Sequence, residues 1–212
     1  MSFKRSDTIL QELKEHLPFT LGTSLIAGAL IAIFYSINKS YFIEIVSGLF
    51  EIMHPAHILV SAIATSAIYW KYNKSAIKVI LVGITGAILI GSLSDVLFPW
   101  LTGNIFSLKT TFHLPIIEDP ILIIGIALIG SIIGMYWDIF KISHLLHVFL
   151  SVFASLFYLL AFSIEMSIPA ILLTSILVFF AVYVPCCISD IVFPIFFIKK
   201  PCKDCGHWHE QD

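Results

Sequence analysis

The side chains able to do chemistry in this chain recur in two short patterns. His54-Pro55-Ala56-His57 is followed by Ser61, and His144-Leu145-Leu146-His147 by Ser151, so both stretches read H-x-x-H-x-x-x-S. Ser94-Asp95 precedes Phe98-Pro99, and Ser189-Asp190 precedes Phe193-Pro194, so both of these read S-D-x-x-F-P. In an α-helix each residue turns about 100°, so positions three and seven apart share a face. His54, His57 and Ser61 then point one way, as do His144, His147 and Ser151. Two imidazoles with a carboxylate from a neighbouring helix are a usual ligand set for a divalent transition metal, with room left for water or a hydroxyl. Ser61, Ser94, Ser151 and Ser189 are accessory candidates.

Proline adds a second detail. It has no N–H for the carbonyl four residues before it, so Pro99 frees the carbonyl of Asp95 and Pro194 that of Asp190 if both helices run through. Pro55 suits the first turn of a helix, and Ser143 suits the cap of the matching one. Cys186 and Cys187 stand one turn before Asp190, where the first half has Gly91 and Ser92; a thiolate there would soften the second site. Near the C-terminus, Cys202, Cys205, His207 and His209 give four potential ligands within eight residues. That spacing suits a Cys2His2 zinc site or half of a zinc ribbon.

The elements that carry these residues are apolar helices. Of 212 residues 58% are hydrophobic and 12% charged, and mean hydropathy is +0.98. Soluble domains carry about a quarter charged residues, so the composition is that of an integral membrane protein. Twelve Lys and Arg against fourteen Asp and Glu leave no basic surface for a nucleic acid backbone. Runs long enough to span a bilayer are expected at 18–37, 54–72, 76–100, 120–137, 142–162 and 168–198. Residues 1–17 are too charged for a signal peptide; with Ile9, Leu10, Leu13 and Leu17 on one side, they are expected to form an interfacial amphipathic helix. Residues 41–53 are expected to form another.

The two motifs repeat at offsets of 90 and 95 residues, which divides the chain into 18–102 and 120–199, joined by an extracytoplasmic loop at 103–119 and followed by a cytoplasmic Cys/His tail at 200–212. Three spans per half force the halves to be inverted in the membrane, a topology shared by many secondary transporters. The expected fold is therefore all-α, with six transmembrane helices as two inverted three-helix repeats. Ten of the twelve Lys and Arg fall on the side of both termini, Lys39 and Lys109 on the other; the excess marks the cytoplasm. On this layout His54, His57 and Asp95 form an outer site, and His144, His147 and Asp190 an inner one, on the order of 20 to 30 Å away across the hydrocarbon core.

The function expected from these residues is transport or conduction of a divalent transition metal of the zinc, manganese, iron, cobalt or nickel class. Its partners would be the metal, possible zinc among them as cofactor, the lipid bilayer of the cell or inner membrane, and a second copy of the chain, since six spans make a narrow bundle. Alternatives are a membrane-embedded metal-dependent hydrolase using His144, His147 and Asp190 to activate water, and a sensor or assembly protein acting through the tail. No residue is assigned a catalytic role. Phosphate loops, H-E-x-x-H and G-x-S-x-G do not occur. His113, Glu118 and Asp119 read as a solvated loop, and Gly130 and Gly134 as a small-residue pair for close helix packing.

Overall fold

The computed structural model describes residues 5–136, 140–164, 167–187 and 193. They form helices α1 (Arg5–Ile37), α2 (Lys39–Tyr72), α3 (Ala76–Ser92), α4 (Phe98–Ile105), α5 (Pro115–Glu118), α6 (Pro120–Tyr136), α7 (Phe140–Phe162) and α8 (Ile168–Cys187). A single π-helical turn, Leu93–Leu97, joins α3 to α4, so that the polypeptide is helical from Ala76 to Ile105. Four helical stretches are long and apolar enough to cross a membrane: Leu17–Ile37, Lys39–Tyr72, Ala76–Ile105 and Ile168–Pro185. Pro120–Tyr136 and Leu146–Phe162 are shorter apolar helices.

Large apolar side chains face outward, and a set of polar ones lies buried within the apolar core. Ile26, Ile33, Leu81, Leu89, Ile121, Ile129 and Ile176 lie on the outside, while His54, His57, Asp95, His147 and a set of serines and threonines are buried. Apolar surface of that extent is stable only against another apolar phase, and helices satisfy their own backbone groups there.

The observed boundaries differ from the expected ones. Residues 5–37 form one helix that continues through Pro18, and its stretch long and apolar enough to cross a membrane is Leu17–Ile37. Residues 41–53 do not form a separate helix. Asn38 caps α2 by accepting the Tyr41 N–H, and Phe42, Val46 and Phe50 join the core cluster of Val152, Leu156 and Tyr158. That burial carries the helix through Glu44 and Glu51. Pro55 therefore sits inside α2 instead of at its first turn, and Ser143 lies inside α7 instead of capping it. At 34 residues, α2 is about 51 Å long, more than the roughly 30 Å of a hydrocarbon core.

Helix directions follow from paired contacts. On α2 and α3, Ser66 faces Gly83, Thr65 faces Gly86 and Ile58 faces Gly91, so these helices are antiparallel. Leu59 faces Gly130 and Ile63 faces Gly134, so α6 runs parallel to α2. His57 meets His147, and earlier on α2 Phe50 meets Tyr158 and Phe162, so α2 and α7 are antiparallel. Gly130 and Gly134 bring two backbones together: a Cβ on either would run into a carbonyl of α2, that of Leu59 or that of Ile63.

Gly130→Ala and Gly134→Ala are each expected to destabilise the protein by about 1–3 kcal/mol through overpacking. Gly125→Ala on the same helix meets nothing within 4 Å and is expected to be neutral or stabilising. Thermal unfolding of the three purified variants in one detergent checks the contrast; equal melting temperatures would contradict the close α2–α6 approach.

Candidate polar centre

Asp95 is the middle residue of the π-helical turn, and its side chain is fully buried. The turn closes by a bond from the Phe98 N–H to the Leu93 carbonyl. Pro99 brings no N–H of its own to the Asp95 carbonyl. Isolated π turns of this kind are found often at functional positions. Here the turn buries Ser94, Asp95 and Val96 in succession.

Four donors surround the carboxylate. The Nδ1 atoms of His54 and His57 lie 2.9 and 2.6 Å from its Oδ2, and the hydroxyls of Ser94 and Ser151 each donate to Oδ1 at 2.8 Å. A carboxylate has about four lone-pair positions, and all are used. Because the carboxylate only accepts, both histidines carry a proton on Nδ1. Their Nε2 atoms are thereby turned away from the acid. That of His57 lies 3.3 Å from Nε2 of His147, with the two rings nearly perpendicular; that of His54 has no hydrogen-bond partner among the described residues, and Phe50 stacks on the ring at 5.5 Å.

The expectation of separate outer and inner sites does not hold for His57 and His147. They sit in one centre because α2 begins at Lys39 and not at His54, which moves H-x-x-H from a helix end to the middle, where α7 crosses it. Ser94 and Ser151 belong to the same centre. Ser61 is buried, and its hydroxyl finds no partner among the described residues. His144 falls within α7, and Cys186 and Cys187 end α8, but their side chains lie outside the description. Ser189, Asp190, Cys202, Cys205, His207 and His209 lie outside the described residues altogether. Among the described residues, no three His, Cys, Asp or Glu side chains form a group that could hold a metal ion. Asp95 spends its oxygens on Nδ1 atoms and hydroxyls.

Two participants escaped the motif reading. Ser155 places its hydroxyl 3.0 Å from the Ser94 carbonyl and 2.7 Å from that of Ser151. It continues the face of His147 and Ser151 by one turn, and Thr65 does the same after Ser61, so extending the motif four residues would have found both. Phe50, one turn before His54, left no such signal.

No protein-family model matches the chain, and neither curated proteins nor solved structures give a match.

Asp95→Ala leaves two ring N–H groups and two hydroxyls buried without their acceptor, and is expected to cost about 3–5 kcal/mol. Ser61→Ala removes a hydroxyl that has no partner and is expected to be neutral or stabilising. Denaturation of both variants measures the difference; an Asp95→Ala protein as stable as wild type would refute the four-donor arrangement.

Proposed function

We propose that the protein is a membrane transporter or channel for a divalent transition-metal ion, with the His57–His147 pair on the ion's path. The observation that carries this is the 3.3 Å separation of their Nε2 atoms. Two nitrogens bound 2.0–2.1 Å from one tetrahedral ion are about 3.3–3.4 Å apart. Asp95 on the Nδ1 of His57 supports the reading, since a carboxylate in that position orients a ligating imidazole and raises its basicity. A pair of protein nitrogens, with water completing the shell, also suits cargo, which must be held weakly enough to leave.

The pairing of helices supports two inverted halves. The antiparallel helices α2 and α7 carry the repeated H-x-x-H, and the equivalent residues His57 and His147 meet where they cross. A local two-fold axis would pass between them. Inverted-repeat transporters bind their substrates near the midplane at the interface of the repeats, so a central pair fits this class better than two remote sites. On this reading the protein crosses the membrane six times, with both termini in the cytoplasm. Asp190 is assigned by the sequence repeat to the same path, and the Cys/His tail to a cytoplasmic zinc-binding role.

One observation favours a second reading. Asp95, His57 and His147 form an unbroken chain of hydrogen bonds without any ion, and buried chains of acids and imidazoles also carry protons. A metal-dependent hydrolase using His144, His147 and Asp190 has less support, because His147 is buried.

Proteoliposomes loaded with a metal-sensitive dye test the proposal. His57→Ala, His147→Ala, Asp95→Asn and Asp190→Asn are each expected to reduce metal flux by about tenfold or more. Wild-type metal flux at the level of empty liposomes, with a pH-sensitive dye reporting proton flux, would establish the second reading instead.

Deleting the chain from Pro201 onward is expected to leave flux intact and to remove about one bound zinc per chain. Elemental analysis of the purified full-length and truncated proteins provides that measurement; equal zinc contents would rule out the tail site.

A further inference from the structure

The end of the bundle nearest His54 is covered by the segment between α4 and α5. Ser107 and Lys109 turn it with positive φ angles of 61° and 52°. Thr110 pairs with Ser163, the Thr111 N–H donates to the Phe162 carbonyl at 2.8 Å, and the His113 N–H donates to the Tyr158 hydroxyl at 3.2 Å. Beneath it, Phe50 packs against Tyr158, Phe162 and the ring of His113 with centroids 5.4, 5.5 and 5.8 Å away, and it also stacks on the ring of His54. Phe50 thus connects the rings under the segment to the ring of His54.

His113 holds the segment down from two sides. Its Nε2 lies 2.8 Å from Glu51 Oε1 on α2, and its Nδ1 lies 2.8 Å from Glu118 Oε1 on α5. Its ring stacks on Phe162 at 4.4 Å. Nε2 hydrogen-bonds Glu51, while the approach of Nδ1 to Glu118 is a charge contact. Two carboxylates 2.8 Å from the two ring nitrogens hold the ring best as an imidazolium. Without its extra proton, His113 loses the charge that draws Glu118 to it, and that contact loosens. The other groups facing the ring do not supply the missing proton at ordinary pH: the Tyr158 hydroxyl bonds the segment's backbone, and Asp119 caps α6 through the Leu122 N–H. Lys109 is the one other basic residue of the segment.

We propose that His113 is a proton-operated latch, closed over the His54 end of the centre when it is charged and released when it is neutral. The latch regulates access to the centre described above and to that extent rests on the transport reading. Acid closes the latch and alkali opens it, because the charge that holds both carboxylates comes with one more proton.

Hydrogen exchange of the full-length protein in lipid nanodiscs tests this. Between about pH 5 and about pH 8, the range across which imidazole ordinarily changes charge, exchange at the amides of Leu108, Thr111 and His113, corrected for intrinsic base catalysis, is expected to accelerate by about tenfold. Amides of Val152 and Leu156 in the core of α7 are expected to stay unchanged. In Glu118→Gln the charge that draws the imidazolium is gone, so the acceleration is expected to vanish; Glu51→Gln removes the charge on the other side, where the amide can also bond Nε2. Equal corrected rates at both pH values in wild type, or an undiminished acceleration in both variants, would overturn the latch. No metal enters this measurement, so failure of the transport reading appears only in the flux assay, and failure of the latch only here.

Discussion

The structure is organised around one costly group, a carboxylate buried in an apolar helical bundle. An isolated ionised acid in such a place would take up a proton or draw in water. Asp95 is instead met by two ring N–H groups from α2, one hydroxyl from its own turn and one from α7. Three elements must therefore approach within hydrogen-bonding distance at one level. The small residues make this possible: Gly91 lets α3 lie against Ile58 and His57 just before the acid, and Gly83 and Gly86 admit Ser66 and Thr65 further along. The π-helical turn then supplies the change of register that buries Ser94 and Asp95 together.

Much of this chemistry was legible in the residues. H-x-x-H-x-x-x-S identified His54, His57 and His147, and S-D-x-x-F-P identified Ser94 and Asp95, because ionisable groups inside apolar runs are rare and stand out. Their arrangement was not legible, for a specific reason. Hydropathy ended the second span at His54, since Glu44 and Glu51 lower the average before it. The helix obeys packing instead: Phe42, Val46 and Phe50 fall on one face and bury, so the backbone stays helical from Lys39. That extension turns a residue at the end of a span into one at its centre, and brings His57 to His147. The contact between Glu51 and His113, separated by 62 positions, left no local pattern.

The same geometry constrains how any ion could use the centre. With Asp95 saturated, the free donor capacity lies on the Nε2 side of the imidazoles, and the acid acts by fixing which nitrogen is presented. A cation between His57 and His147 would displace the proton they share, so metal and proton compete for one position. The transport and proton readings therefore describe alternative occupants of a single contact, which is why the same variants separate them.

Not every buried polar group here contributes to stability. The hydroxyls of Ser61, Thr65 and Ser66 and the Nε2 of His54 are buried with no hydrogen-bond partner among the described residues, while Ser151 and Ser155, their counterparts in the second half, are bonded to Asp95 and to the Ser94 carbonyl. An unsatisfied buried hydroxyl costs about 1–3 kcal/mol relative to a bonded one, and alanine at Ser61 would remove that cost at little loss of volume. A bundle shaped by packing alone would carry alanine there. Ser61 and Thr65 lie on the same helical face as His54 and His57, and on the transport reading that face is where a passing ion would find ligands.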